Sequence, residues 1–365
     1  MDGTRERDTD LFESEQVPAG DGASGGSGRD GWDDTPSVGG SGRREKRRNR
    51  KVLVAALVLL LVPVLAVGGY LAWLNHIVTN NVKQELLLPD DAGGAGSQPT
   101  DKNGNVVVQP AGNGTNYLIV GSDAGPGRVG GRSDVMVLAH VPADHSTVTL
   151  IHFPRDLYVS IPGNGKNKLN AAYAFGGPPL LVKTMQNLLG VSVDHVALID
   201  FEGFKSMTDA VGGVDVNVEE ASTGDGKVFT EGVQHMDGET ALVFVRQRKQ
   251  LSEGDISRGQ RQLAFIKALM LKTLSKDVLT NPLRLKDFLE AATTNLTVDQ
   301  KLDVGTMRSE ALAMRDLRGG DIRFITAPFT GFGTSPAGAS IDIVDEVKMA
   351  DLGEAIRNDE LNAYK

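Results

Sequence analysis

From residue 116 onward, short apolar runs rich in β-branched residues alternate with longer stretches whose apolar positions recur every three or four residues. The short runs NYLIVG (116–121), DVMVLAHV (134–141), TVTLIHF (147–153), HVALID (195–200), VDVNV (214–218) and DIRFITA (321–327) read as strands. PLLVKTMQNLL (179–189), FEGFKSMTDAV (201–211), GETALVFVR (238–246), the run after Ser257 and 302–317 read as helices, and 340–358 supplies a last strand and helix. This alternation predicts an α/β domain of three layers, α-β-α, with a central sheet covered on both faces. The closely spaced strands 134–141 and 147–153 suit an antiparallel hairpin, which makes the sheet mixed.

Before residue 116 the pattern changes. Residues 1–42 carry 10 acidic and 3 basic residues and few large apolar ones, too little surface to offset the entropy of ordering, so the tail reads as disordered. RREKRRNRK (43–51) follows at a net charge of +6, and then 23 uncharged residues, VLVAALVLLLVPVLAVGGYLAWL (52–74). As a helix this run is about 34 Å long, enough to cross a hydrocarbon core of about 30 Å. Its length, with no small-residue cleavage site close behind, favours an uncleaved transmembrane anchor over a signal peptide. The basic cluster in front puts residues 1–51 in the cytosol and 75–365 on the outer side of the cell membrane, which the chain crosses once. Residues 75–114, polar and Gly-rich between two apolar pieces, read as an extracytoplasmic linker, and 115–360 as the folded domain.

Composition narrows the chemistry. The 365-residue chain has no cysteine, which removes thiolate catalysis, disulfides and Cys-ligated zinc and leaves oxygen, nitrogen and hard metals. Its formal net charge is -9, and residues 75–365 hold 28 basic against 36 acidic residues, which argues against a broad nucleic-acid face. Against that background VRQRKQLSEGDISRGQRQ (245–262), with four arginines, stands out. Ser257 and Gln260 match an S-x-x-Q capping box, so SRGQRQ reads as a helix N-terminus with Arg258, Arg261 and Gln262 on one face of its first turn. The helix dipole disfavours arginine there by about 0.3–1 kcal/mol each unless an anion is bound. Arg246 and Arg248 close the preceding helix and point to one side if the chain becomes extended, with Asp255 placed to orient guanidinium groups between the two pairs. The plainer alternative is a solvated charged loop, but arginine outnumbers lysine four to one, which favours bidentate recognition.

Upstream, FPRD (153–156) sets Arg155 at a strand tip, where it recognises an anion, is solvated, or is paired with Asp156. Asp123 and Asp134 flank GPGRVG (125–130), which satisfies G-x-G-x-x-G, but a strand rather than a helix follows, so the dinucleotide reading fails. If their strands are neighbours, both carboxylates reach one sheet edge, either as hard oxygen ligands for Mg²⁺ or as ordinary turn residues. The six histidines are scattered, and no Ser-His-Asp order is compelling.

In this order, NYLIVGSD, GRSDVMVLAHV, FPRDLYVSIPG, KLNAAYAFGG, FEGFKSMTDAVGGVDV and ALVFVRQRKQLSEGDISRGQRQ closely resemble the LytR-CpsA-Psr family. The resemblance implies a membrane-anchored, extracytoplasmic phosphotransferase. Such an enzyme moves an anionic glycopolymer (teichoic acid, arabinogalactan or capsule type) from a polyprenyl diphosphate carrier to peptidoglycan. It implies Mg²⁺ (or Mn²⁺) at Asp123 and Asp134, and a pyrophosphate-binding set of Arg155, Arg246, Arg248, Arg258 and Gln262. Asp134, Arg155, Arg246 and Arg258 then carry the catalysis, with Asp255 and Arg261 in support. One departure is HFPRD, where the family more often has a small polar and an aliphatic residue before PRD. The prenyl tail is expected in an apolar groove between sheet and helices. The expected partners are the carrier-linked glycopolymer, peptidoglycan and the membrane, and not nucleic acid. Two readings from other classes compete. A polyprenyl-phosphate binding or scaffold protein would keep the cage without turnover, and a transcriptional attenuator needs the arginines on the other side of the membrane.

Overall fold

The computed structural model describes residues 61, 65–89, 113–122, 133–248, 251–252 and 254–364, with the side chains of Asp134 and Asp255 excepted. Seven strands form the central sheet: β1 (Lys83–Glu85), β2 (Thr115–Ser122), β3 (Ser133–Val141), β4 (Val148–His152), β7 (His195–Asp200), β12 (Leu296–Asp299) and β13 (Ile322–Thr326), in the order β1-β12-β7-β2-β3-β4-β13. β2 pairs antiparallel with β3 and parallel with β7, and β4 pairs antiparallel with β3 and parallel with β13, so the sheet is mixed. A second sheet, ordered β14-β15-β5-β6, joins β5 (Leu157–Ile161), β6 (Gly165–Lys168), β14 (Phe329–Thr334) and β15 (Ser340–Val344). β8 (Val214–Val218) pairs with β11 (Gly232–Met236), and β9 (Ser222–Gly224) with β10 (Lys227–Phe229). VDVNV is therefore a strand, but in a two-stranded ribbon outside the central sheet. Its alternating burial is that of a strand with one dry face.

The helices are α1 (65–81), α2 (Leu169–Leu189), α3 (Phe201–Ala210), α4 (Gly238–Arg246), α5 (Asp255–Thr273), α6 (Lys276–Leu279), α7 (Pro282–Thr294), α8 (Val304–Ala313) and α9 (Glu346–Arg357). α2 breaks at Gly176 and Gly177, which have non-helical backbone ahead of Pro178 and Pro179; the helix expected at 179–189 is its second half. The period of two along β2 divides the core. Leu118 and Val120 enter a cluster with Leu181 and Met185 of α2 and Leu352 and Ile356 of α9. Tyr117 and Ile119 face the other way, against a cluster that includes Leu263 and Ile266 of α5. A third cluster joins β8, α4 and α5 through Val214, Val216, Phe244 and Phe265.

Part of the stretch read as a linker is built into the domain. β1 pairs parallel with β12, and Leu87 is 2% exposed within the first cluster. Three residues after a polar helix end give little periodic signal, which hides the strand from a pattern reading. Among the described residues no helix is long and apolar enough to cross a membrane. Of the span expected at 52–74, residues 61 and 65–74 are described and are helical. Asp123 and the loop 125–130 lie outside the described residues.

Candidate active site

The site is assembled at one edge of the central sheet. β2 and β7 run parallel and finish together, with Ser122 opposite Asp200. β3 starts at the same edge, with Ser133 opposite Ser122. Between those partners and the pair Gly121–Val135, β3 carries one extra residue, Asp134, so this aspartate occupies a β-bulge. Bulged strands are bent and strongly twisted, and they recur beside active sites. β4 ends at this edge too: Phe153 N–H donates to Met136 C=O at 2.9 Å, which directs Pro154 and Arg155 along β3 toward Asp134. The Arg155 side chain is only 17% exposed and lies 3.8 Å from Asp156, whose nearer partner is Lys168 at 2.8 Å. Of the two plain alternatives for Arg155, solvation does not describe it, and pairing with Asp156 is observed at the long end of an ion-pair distance. Asp200, absent from the candidates above, caps α3 by accepting from Gly203 N–H at 2.7 Å. The signal was present as a short polar residue between a strand run and a helical pattern, the ordinary N-cap position.

α5 brings the arginines to this edge, with a start different from the one expected. Its N-cap is Gly254 at φ 57, a backbone that glycine alone adopts without strain, and the helix begins at Asp255. Ser257 therefore lies inside the first turn, and the S-x-x-Q box is not the cap. An acidic residue stands first, where the dipole favours one. Arg258 is the fourth residue and Arg261 the seventh, so the dipole penalty that pointed to an anion is small for Arg258 and absent for Arg261. Another feature places Arg258. A Cβ on Gly259 would come within 2.4 Å of His152 Cε1, so α5 lies directly on the end of β4 through that glycine. Arg258, 8% exposed, is held beside it.

Burial, then the neighbouring Arg258 charge, hold His152 down at about 4. Folded protein therefore keeps His152 neutral while the unfolded chain takes up a proton below about 6.5, so stability is complete above that pH and falls as pH drops toward 4. The loss is about 3 kcal/mol, and His152→Leu removes that slope from urea-unfolding free energies measured between pH 4 and 7.

Arg258 and Gln262 line one large cavity, and Arg261 does not. Arg261 donates from Nη1 to Gln247 Oε1 at 2.8 Å and from Nη2 to Glu220 C=O at 2.5 Å, and its guanidinium lies 4.6 Å from the Phe244 ring centroid. At 100° per residue, Arg261 and Gln262 fall on opposite sides of Arg258, so the expected common face is split. Gln247 also accepts from Ser222 Oγ at 2.5 Å, so Arg261 pins the segment between Arg246 and Arg248 to α5. Arg261→Ala is expected to cost about 1–3 kcal/mol in thermal or urea unfolding, because it removes two hydrogen bonds to part-buried acceptors and the packing on Phe244, with a smaller effect on turnover.

The cavity has a volume of about 600 Å³. Its floor is the β2 face bearing Tyr117, Ile119 and Gly121, about 13 Å of strand. Phe204 and Met207 of α3, Val245 of α4, Phe265, Ile266 and Leu269 of α5, and Met307 and Ala311 of α8 complete an apolar wall. At the edge where the strands end, the lining turns polar: Asp200, Arg246, Arg258 and Gln262. Arg246, the last residue of α4, lies over the Phe201 ring at 4.8 Å, and the chain becomes extended at Gln247, as the sequence pattern required. Gln262 donates weakly to Val245 C=O at 3.4 Å, and its buried Oε1 has no hydrogen-bond partner among the described residues. Arg248 is exposed, and neither it nor Arg155 is part of the cavity lining. At the far end burial and then Glu310 push the Tyr117 phenol above its usual range, and Glu310 pairs with His145 at 3.2 Å.

The combination is a deep apolar slot with guanidinium groups, an amide and a carboxylate at its mouth. It matches an amphiphile with a long hydrocarbon body and a compact polyanionic head.

Comparison with known proteins agrees in fold and extent. The chain is 36% identical over 244 residues to the Enterococcus faecalis polyisoprenyl-teichoic acid–peptidoglycan teichoic acid transferase TagU, across 66% of this chain and 78% of that protein. It is 34% identical over 262 residues to the Bacillus anthracis protein of the same name, across 70% and 82% of the two chains. Among solved structures, one described as TagT bound to LI-WTA superposes with a TM-score of 0.55 at 29% identity, covering 67% of this chain and 90% of that one. The LytR_cpsA_psr family model matches residues 91–357, and so runs through β2, β3, β4, β7, α4 and α5, the elements that build the site. The chain belongs to the LytR-CpsA-Psr family.

Proposed function

We propose that this protein is a membrane-anchored phosphotransferase that moves an anionic glycopolymer from a polyprenyl diphosphate carrier to peptidoglycan on the outer side of the cell membrane. The observation that carries this reading is the apolar cavity of about 600 Å³ with Arg246, Arg258 and Gln262 at its mouth. The teichoic acid transferase names of its relatives support the substrate class. The prenyl tail occupies the slot along β2, and the diphosphate rests at the strand-end edge.

An acceptor hydroxyl of peptidoglycan attacks the phosphorus bonded to the glycopolymer. The new O–P bond forms as the bond to the bridging oxygen breaks, and polyprenyl phosphate leaves with that oxygen and its electron pair. Arg258, buried at the wall where such contacts are strong, and Arg246, exposed at the mouth, neutralise charge gathering on the phosphoryl and leaving oxygens. Arg155 and Arg248, which do not line the slot, complete the set for the head group, Arg248 from the solvent side. The hydroxyl proton passes to Asp134 or Asp123. The donor set there is hard oxygen: Asp134 stands in its bulge beside the end of β2, Asp123 follows Ser122, and Asp200 lies opposite. Hard carboxylate oxygens suit Mg²⁺, which Asp123 and Asp134 would hold; the ion would supply further charge neutralisation at the phosphoryl oxygens.

Incubation of the full-length protein with prenyl-diphosphate-linked glycopolymer, Mg²⁺ and peptidoglycan is expected to yield glycan covalently bound to peptidoglycan and free polyprenyl phosphate. Binding of the carrier without either product overturns the enzyme reading in favour of a binding protein. A C-terminal reporter fusion tests the topology separately.

A further inference from the structure

The side of the domain next to α1 carries apolar surface that neither the fold nor the cavity uses. Within α1, Leu65, Val67, Leu71 and Trp73 are 68%, 58%, 57% and 47% exposed, while Leu74 is 6% exposed. A helix apolar all round and uncovered by protein is at home only in a non-aqueous surround. The domain touches it at a defined level: Tyr70 Oη donates to the carbonyl of Pro282, the first residue of α7, at 2.6 Å. Tyr70 is four residues, about 6 Å, inside the end of the apolar run at Leu74. On either side of Pro282, Leu279 and Leu283 are 44% and 72% exposed. Loose packing does not account for this, because Val278, adjoining Leu279, is fully buried in the third core cluster.

We propose that the α6–α7 corner, with Leu279 and Leu283 at its tip, is a membrane-seating surface that enters the headgroup–acyl boundary of the bilayer beside α1. This rests on the anchored reading given above. If the run ending at Leu74 is in lipid, the Tyr70–Pro282 hydrogen bond fixes the corner at interfacial depth, where two exposed leucines are favourable and exposed Lys276 can meet anionic headgroups. The seat also orients the substrate path. α7 packs on α3, whose Phe204 and Met207 line the cavity, so the α3 side of the slot is turned toward the bilayer that supplies the prenyl tail.

The absence of cysteine gives a clean test, since each introduced cysteine is the only labelling site. Nitroxide-labelled Leu283→Cys, in full-length protein reconstituted into phosphatidylglycerol–phosphatidylethanolamine nanodiscs, is expected to show a ratio of oxygen to nickel-chelate accessibility several-fold above Val347→Cys. Val347 is a 73% exposed reference on α9. Equal ratios at the two positions overturn the proposal. Shielding of position 283 from both reagents also overturns it, because a protein partner then covers the corner. Leu71→Cys separates the two readings: lipid exposure at 71 with an aqueous 283 sinks the seat alone, and an aqueous 71 sinks the anchor.

Discussion

Arg258→Ala lowers the rate of glycopolymer transfer by about 10²–10³-fold while the protein remains folded. The size follows from location. Arg258 is 8% exposed, at the junction of the strand-end edge and an apolar slot, where a guanidinium aimed at developing phosphate charge meets little screening water. The loss appears in kcat more than in KM, since the charge grows as the polyprenyl phosphate departs. Arg258→Lys recovers only part of it, because a point charge does not replace the planar fork. A structural readout accompanies the kinetic one. Loss of the adjacent charge raises the pKa of His152 from about 4, observable by NMR titration of its ring. Unchanged turnover with a shifted His152 would mean that Arg258 packs the edge and does not touch substrate.

Filling the slot gives the second large effect. Ala197, on β7 opposite Ile119, lines the cavity, and Ala197→Phe places a ring in the path of the tail. Each buried methylene is worth about 0.8 kcal/mol, so displacing even one five-carbon unit weakens the long-chain carrier by about a hundredfold or more. A carrier analogue with a single five-carbon unit, too short to reach Ile119, retains its smaller affinity, and the melting temperature holds or rises because a void is filled. Steady-state kinetics with the two chain lengths checks this. Equal sensitivity of both carriers would put the tail elsewhere.

The strands at 116–121, 134–141, 147–153, 195–200 and 321–327 were legible because each is an apolar run bounded by turn residues, and the mixed sheet followed from the hairpin between two of them. The flanking strands were not. β12, LTVD, is four residues with an aspartate, and its apolar character comes from burial between β1 and β7. Asn281 capping Leu283 and Arg284, with Pro282 at the first position, is a readable start for α7 that periodicity alone passes over. At the site, the sequence located Arg246, Arg258 and Gln262 through spacing. It set Arg261 on the cavity face with them, because one helical face spans positions 60° and 40° to either side of Arg258, and only packing decides which side meets the cavity. The true start of α5 turned on a glycine backbone angle, which a capping pattern does not encode. The cavity itself is a deficit of volume between the sheet and four helices, elements distant in sequence, and no local pattern reports that.

The continuity of α1 with β1 bears on reach. Seven helical residues, about 10 Å, separate the end of the apolar run from Val82, and the sheet begins at Lys83. The long Gly-rich stretch lies after that strand, as an excursion between β1 and β2, and so adds no slack to the tie. On the anchored reading, the working height of the strand-end edge above the bilayer is a fixed property of the molecule. On that same reading, the acceptor strands in reach are those within that narrow layer above the bilayer.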